Sequence, residues 1–319
     1  MGYSRLRQIL LVALSLAWGI PAAPISAAAE TLTFMTGPAG GTWYPLGGAT
    51  KQILEQEIEG LSVTLRPGAG LINIKGLSLG KADIAWGNVI STVDALNGKP
   101  PFDTKMGDLC NVAALYEQSA QVPVTDLAIE SIADLKGRRL ATLPRGNTTE
   151  ASARALLALY GLTYDDLSKI NFGSVTDQVH MMKDGQIDGF VLVSSVPAAG
   201  VLDLATSRGM KLLPILDAEF AKLRQSNPGW QRTTIPADTY PGQDQDVPSV
   251  GFRMHMMANC TNVSDETVYQ ITKALAERGV ELAAVTRLLT DFNVQAMAID
   301  VGVPYHPGAA RYYSEAGLK

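Results

Sequence analysis

Apolar and polar positions alternate along this chain between a period near two and a period near 3.6. Residues 31–36 form a short β-rich run, and Leu46, Ala49, Ile53 and Leu54 then recur at helical spacing up to Gly60. Pro45 suits the first turn of that helix. Residues 61–66 predict a second strand, 71–79 a short helix stopped by Gly80, and 82–86 a third strand. The same order restarts further on, with a strand at 138–143, a helix at 148–160, a strand at 169–172, a helix at 176–183 and a strand at 187–193. Asn147 and Glu150 are spaced to cap the 148–160 helix and Gly161 to close it. Strands alternating with helices predict βαβ units around mostly parallel sheets.

A short repeat ties the halves together. Gly80-Lys81-Ala82-Asp83-Ile84 and Gly185-Gln186-Ile187-Asp188-Gly189 share a Gly-x-x-Asp core at matching distances from the first strand of each half. Two further strand candidates, 111–117 and 247–257, flank the second half, and the C-terminal part is helical, with Ser264 and Pro307 as helix starts. This order predicts two α/β lobes joined by two crossing strands, with a ligand cleft between them. Residues 30–117 plus 251–319 make lobe I and 118–250 make lobe II.

Composition narrows the class. Of 319 residues 46% are hydrophobic and 18% charged, which excludes disorder and a basic nucleic-acid surface. Arg5 and Arg7, an apolar stretch at 9–20, Pro21 and Pro24, and small residues up to Ala29 follow the order of a secretory signal peptide. Cleavage near Ala29 leaves 24 basic against 31 acidic residues, a formal charge of -7, on a periplasmic chain.

Candidate chemistry concentrates in loops at strand ends. The loop 37–41 before Thr42, Trp43 and Tyr44, the loop 67–70 before Asn73, and the loop 144–147 before Thr148 and Thr149 occupy equivalent places, where helix N-termini offer free N–H groups to an anion. Arg145 beside Gly146 and Asn147 would suit a carboxylate, or else pairs with Glu150. Trp43, Tyr44 and Trp86 either wall a pocket or pack in a core. Gly76-Leu77-Ser78-Leu79-Gly80 has the spacing of a nucleophile elbow, but a helix precedes Ser78 and a strand follows it, the reverse of what an elbow needs. His180, His255 and His306 are scattered, and no metal or cofactor is expected. Cys110 and Cys260 flank the two crossing strands. They would bridge if those strands are antiparallel neighbours; two separate buried thiols is the reading preferred at this point.

Gly40-Gly41-Thr42-Trp43-Tyr44-Pro45-Leu46-Gly47-Gly48-Ala49 resembles the N-terminal signature of the TAXI group of substrate-binding proteins, which serve tripartite ATP-independent periplasmic (TRAP) transporters. Further similar segments follow in order, among them Ala114-Leu115-Tyr116-Glu117, Ala133-Asp134-Leu135-Lys136-Gly137, Lys183-Asp184-Gly185-Gln186-Ile187-Asp188, Thr239-Tyr240-Pro241-Gly242 and His306-Pro307-Gly308-Ala309-Ala310-Arg311-Tyr312-Tyr313. The resemblance implies a periplasmic-binding-protein-like fold, a glutamate-like amino acid or dicarboxylate as ligand, and a TRAP permease as partner. It carries over Thr42, Trp43, Tyr44, Asn73, Asn88, the loop 146–149, Ser194 and Ser195 as the cleft. Arg145-Gly146-Asn147-Thr148, Trp86-Gly87-Asn88 and Ser194-Ser195 each depart from the group's usual residues at those places.

The reading is therefore a monomeric, non-enzymatic solute-binding protein. A periplasmic sensor and, behind it, a secreted hydrolase using Ser78 are the alternatives.

Overall fold

The fold is given by a computed structural model. It describes residues 30–37 and 42–318, so the segment 1–29 expected to be a signal peptide, the loop positions 38–41 and Lys319 lie outside the described residues. The first lobe runs β1 (Glu30–Met35), α1 (Trp43–Glu57), β2 (Leu61–Arg66), α2 (Gly70–Ser78), β3 (Ile84–Asn88) and α3 (Val89–Asn97) into the long strand β4 (Leu109–Gln121). The second follows with β5 (Pro123–Val124), β6 (Arg139–Thr142), α4 (Thr148–Ala158), β7 (Lys169–Phe172), α5 (Val175–Lys183), β8 (Gly189–Phe190) and β9 (Leu192–Ser194). It continues through α6 (Ala199–Arg208), β10 (Lys211–Leu212), α7 (Asp217–Ser226) and β11 (Gln231–Ile235). Strand β12 (Val247–Asn259) brings the chain back, and α8 (Asp265–Arg278), α9 (Val294–Met297) and α10 (Pro307–Glu315) complete the first lobe.

Two sheets result. One is ordered β2-β1-β3-β12-β4-β9, with β11 paired to β12, and the other β10-β5-β8-β6-β7. Each lobe has one strand that pairs in parallel with two later ones, β1 with β2 and β3, and β6 with β7 and β8, while β5 joins the second sheet antiparallel to β8. The Gly-x-x-Asp repeat explains how. Gly80 and Gly185 adopt φ of +64° and +65° and close α2 and α5 through the same paired backbone bonds. Each aspartate then accepts an N–H from that strand: Asp83 Oδ2 lies 2.7 Å from Thr33 N of β1 and Asp188 Oδ2 2.8 Å from Arg139 N of β6. The predicted strand 82–86 accordingly starts two residues later, because Asp83 serves as this anchor rather than as a ladder residue.

Strands β4 and β12 have 13 residues each and pair antiparallel. At about 3.3 Å per residue they extend roughly 43 Å, enough to run through both lobes. The core changes hands along them. Val112, Leu115, Tyr116, Met254 and Met256 pack with Phe34, Trp86 and Tyr313, whereas Ala120, Val122, Val250 and Phe252 pack with Leu140, Leu156 and Trp230.

At the first-lobe end of this ladder Ala258 pairs with Cys110, which puts Cys260 within reach, and Cys110 and Cys260 form a disulfide with Cα atoms 5.3 Å apart. The preference for two separate thiols is thus corrected, for the reason that the crossing strands are neighbours. The run predicted as one strand at 187–193 divides into β8 and β9, which pair in different sheets. Helices α3, α6 and α7 had no counterpart in the sequence reading.

Candidate functional site

The loops at the carboxyl ends of the strands meet between the lobes and enclose a cavity of about 230 Å³. The first lobe contributes Thr42, Trp43, Ala69, Gly70 and Asn88, the crossing strand Tyr116 and Gln118. The second contributes Leu143, Asn147, Thr149, Val175, Leu192, Val193, Ser194 and Ser195, and Thr286 and Leu288 close one side.

Neighbouring groups hold these side chains in place. The Trp43 indole N–H donates to the Tyr116 hydroxyl at 3.1 Å, while the Trp86 indole donates to the Trp43 carbonyl at 3.2 Å. Gln118 Nε2 donates to Asn88 Oδ1 at 3.0 Å. Asn147 caps α4 by accepting from Thr149 N at 2.9 Å, and the Thr149 hydroxyl reaches the Val193 carbonyl at 3.4 Å. Gln121 donates to Ser194 Oγ at 3.2 Å and to the Ser195 carbonyl at 3.0 Å, which fixes the loop after β9. Burial pushes the Tyr116 phenol up to about 12, so it keeps its proton at physiological pH. No acidic, basic or imidazole side chain lines the cavity among the described residues.

The lobes touch beside the cavity. Ser91 Oγ of α3 and Thr148 Oγ1 of α4 lie 3.0 Å apart, and Asn227 Nδ2 donates at 2.8 Å both to the Ile90 carbonyl and to Asp94 Oδ1. Burial raises the Asp94 carboxyl to about 6, against the opposing effects of the Asn227 bond and the Lys99 charge. The backbone approach at Gly70 is close enough that a Cβ there would stand 2.3 Å from Thr148 Oγ1.

Of the residues singled out in the sequence, Thr42, Trp43, Asn88, Asn147, Thr149, Ser194 and Ser195 come together in the cavity wall. Thr148 stands behind that wall in the contact with Ser91. Arg145 and Gly146 face a separate outer groove with Ile72, Lys75, Glu150 and Arg154, and the Arg145 guanidinium lies 5.5 Å from the Phe172 ring centre. Gly146, at φ +91°, turns the chain between Arg145 and the cavity. Asn73 is fully buried and occupied by the fold: it accepts from Ala69 N and donates to the Thr36 and Trp86 carbonyls at 2.7 and 2.8 Å. Tyr44 is 37% exposed and outside the cavity, and Trp86 packs edge-on against Phe34 in the core.

Tyr116 and Gln118 escaped the sequence reading. The available signal was the polar run Glu117-Gln118-Ser119 that interrupts the apolar residues of the crossing strand.

Other candidate chemistry disperses. Ser78 ends α2 and precedes β3, without the strand–nucleophile–helix order of an elbow. His255 is buried between Thr92 Oγ1 at 2.8 Å and Asn111 Oδ1 at 3.0 Å, and burial lowers its pKa to about 3. His306 caps α10. Among the described residues no group of three or more His, Cys, Asp or Glu could hold a metal ion, and no helix is long and apolar enough to cross a membrane.

A protein-family model described as the NMT1-like family matches residues 34–317. Among solved structures, PhnD1 from Prochlorococcus marinus (MIT 9301), in complex with methylphosphonate, superposes with a TM-score of 0.55 at 12% identity, covering 91% of this chain and 100% of that one. A putative L-cystine ABC transporter from Listeria monocytogenes superposes with a TM-score of 0.51 at 15% identity, covering 83% and 96%. At these identities the likeness is one of fold, the two-lobed architecture of periplasmic binding proteins.

Proposed function

This chain belongs to the NMT1-like family, and we propose that it is a periplasmic solute-binding protein, working as a monomer, that captures a small organic anion or amino acid without converting it. The observation that carries this reading is the cavity walled from both lobes, where two crossing strands allow the lobes to separate and close. Closure would replace the solute's hydration shell with hydroxyls, carboxamides and backbone N–H groups while Trp43 and Tyr116 exclude water. The absence of any charged side chain or nucleophile–base pair from the wall, among the described residues, speaks for capture over hydrolysis. We place the lobe boundaries near Glu117 and Gly251.

The partner we propose is a TRAP permease, driven by an ion gradient. Support for it comes from the ordered signature segments from Gly40 to Tyr313. Uptake into vesicles holding the permease should follow an imposed ion gradient and be indifferent to ATP. An ATP requirement would reassign the chain to another class of transporter, and binding without any uptake would favour a sensor.

The binding reading is tested by calorimetry of ligand-stripped mature protein against amino acids, monocarboxylates and dicarboxylates. One-to-one saturation with the solute recovered unchanged is the expected result; turnover would restore the hydrolase alternative.

A further inference from the structure

Five helices begin at the cavity wall, and they are of two kinds: α4 and α5, entering at Asn147–Thr149 and Val175, are capped and carry Glu150 and Asp177 in their first turns, whereas three others are bare. Among the described helices of eight or more residues, α1, α2, α3 and α6 have neither a side-chain cap nor an acidic residue in the first turn. The remaining five, α4, α5, α7, α8 and α10, carry one or both. Helices α1, α2 and α3 begin at the cavity wall, at Thr42–Trp43, Ala69–Gly70 and Asn88, and α6 begins at the adjoining outer depression. Among the described residues no side chain caps their first-turn N–H groups.

Two side chains in the wall independently present spare donors. Asn88 is 6% exposed; its Oδ1 accepts from Gln118, and its Nδ2 has no protein partner among the described residues. Turning both amides over moves the spare donor to Gln118 and leaves the count unchanged. Tyr116 is 8% exposed; its oxygen accepts from Trp43, and its proton has no protein acceptor among the described residues.

Against these donors stands no formal charge. Arg145 is turned to the outer groove, and Arg287, between the lining residues Thr286 and Leu288, is exposed. Glu117, between the lining residues Tyr116 and Gln118, and Glu150, next to Thr149 and paired with Arg154, are not part of the lining, and Asp203 in the outer depression is held by Lys183 at 2.7 Å. The loop 38–41 contains only Pro, Ala and Gly. Each helix N-terminus is equivalent to roughly +0.5 elementary charge, so the three bare ones supply about +1.5, while those of α4 and α5 are opposed by their own Glu150 and Asp177. That covers one negative charge in full and a second by about half at most. A second carboxylate would be buried with incomplete compensation, and an ammonium group would meet N–H donors and no carboxylate in the lining.

We propose that the cavity selects a small monoanion without an ammonium group, held by the N-termini of α1, α2 and α3 together with Asn88 and Tyr116, and with no cationic side chain. The inference rests on the solute-binding reading and narrows it, setting aside glutamate-like zwitterions and dicarboxylates. At about 230 Å³ the cavity lies below the roughly 300–1,000 Å³ usual for small-molecule sites. A ligand of a few carbons fits that space.

The test is calorimetry of ligand-stripped protein with monocarboxylates of three to six carbons, the dicarboxylates and α-amino acids of the same lengths, and the corresponding neutral amides. The best monocarboxylate should bind at least tenfold more tightly than any compound of the other three kinds. Asn88→Asp, nearly isosteric, should weaken that binding more than about 30-fold, whereas Arg145→Ala should leave it within twofold. Tightest binding by glutarate, glutamate or an amide, or a large loss in Arg145→Ala, would overturn this inference and leave the solute-binding reading standing. Binding by no compound in the panel would overturn both.

Discussion

Gly70 shows how much rests on one missing carbon. A Cβ at this position would stand 2.3 Å from Thr148 Oγ1, on the other lobe, and would displace the threonine from its 3.0 Å contact with Ser91. Gly70→Ala should therefore weaken ligand binding at least tenfold while leaving the thermal midpoint of the ligand-free protein within a few degrees. Equal affinity in the two proteins would show that the lobes need not approach this closely to bind. Asp94, in the neighbouring contact, makes a prediction in pH. Burial lifts its carboxyl from 3.8 to about 6, so the folded protein gains a proton before the unfolded chain does as pH falls from 6 to 3.8. The ionised carboxylate is thus a cost above about pH 6. Asp94→Asn should stabilise the protein at pH 8 by about 1–3 kcal/mol and give no gain at pH 4, read from denaturant midpoints. His255 acts in the opposite sense, because burial lowers its pKa from 6.5 to about 3 and the unfolded chain is the first to take the proton. Its contribution is present above pH 6.5 and lost at about 1.4 kcal/mol per unit below it. The two effects offset each other between pH 6 and 3.8 in the native protein, and the Asp94 variant exposes the decline. At this scale the sequence is least legible: Arg145 has the right chemistry for an anion, yet the turn at Gly146 points it elsewhere, and a turn of one residue leaves no mark in composition.

Elements were easier to read than residues, with an instructive exception. The strands at 61–66 and 169–172 have the predicted ends because turn-forming residues bound each, Gly60 and Pro67 the first and Ser168 and Gly173 the second. Helix α3, Val89–Asn97, was invisible because it is buried nearly all round: Val89, Ile90, Ser91, Thr92, Val93 and Ala95 are all covered, so no polar face sets a period of 3.6 against the apolar one. Its β-branched residues even imitate a strand. The two crossing strands extend beyond their expected ends, since alternation fades where both faces of β4 and β12 are buried. Their pairing is what brings Cys110 and Cys260 together, 150 residues apart in sequence. A cross-link over so long a loop limits the unfolded chain strongly, by about 5 kcal/mol in the chain-entropy account. Cys110→Ser with Cys260→Ser should accordingly lower unfolding free energy by about 2–5 kcal/mol with ligand stoichiometry unchanged. A thiol titration of the denatured, unreduced protein should find no free group, and two free groups would remove the bridge from the account.

At the scale of the whole molecule, the repeated Gly-x-x-Asp anchor and the two crossing strands define a two-lobed architecture that was legible because it recurs twice in one sequence. What no repeat could reveal is the state of the cleft: the lobes meet through Ser91 and Thr148 and through Asn227, Ile90 and Asp94, contacts between residues far apart in the chain. The central claim is that a solute draws these lobes together around the cavity. The native pair of cysteines is already joined, so cysteines introduced at the exposed positions Lys81 and Lys169, one in each lobe, can carry spin labels without competition. Pulsed electron resonance of the doubly labelled, ligand-stripped protein should give a broad distance distribution. Saturation with the tightest-binding carboxylate should narrow it onto the separation in the structure, and an unchanged distribution at saturation would contradict the account.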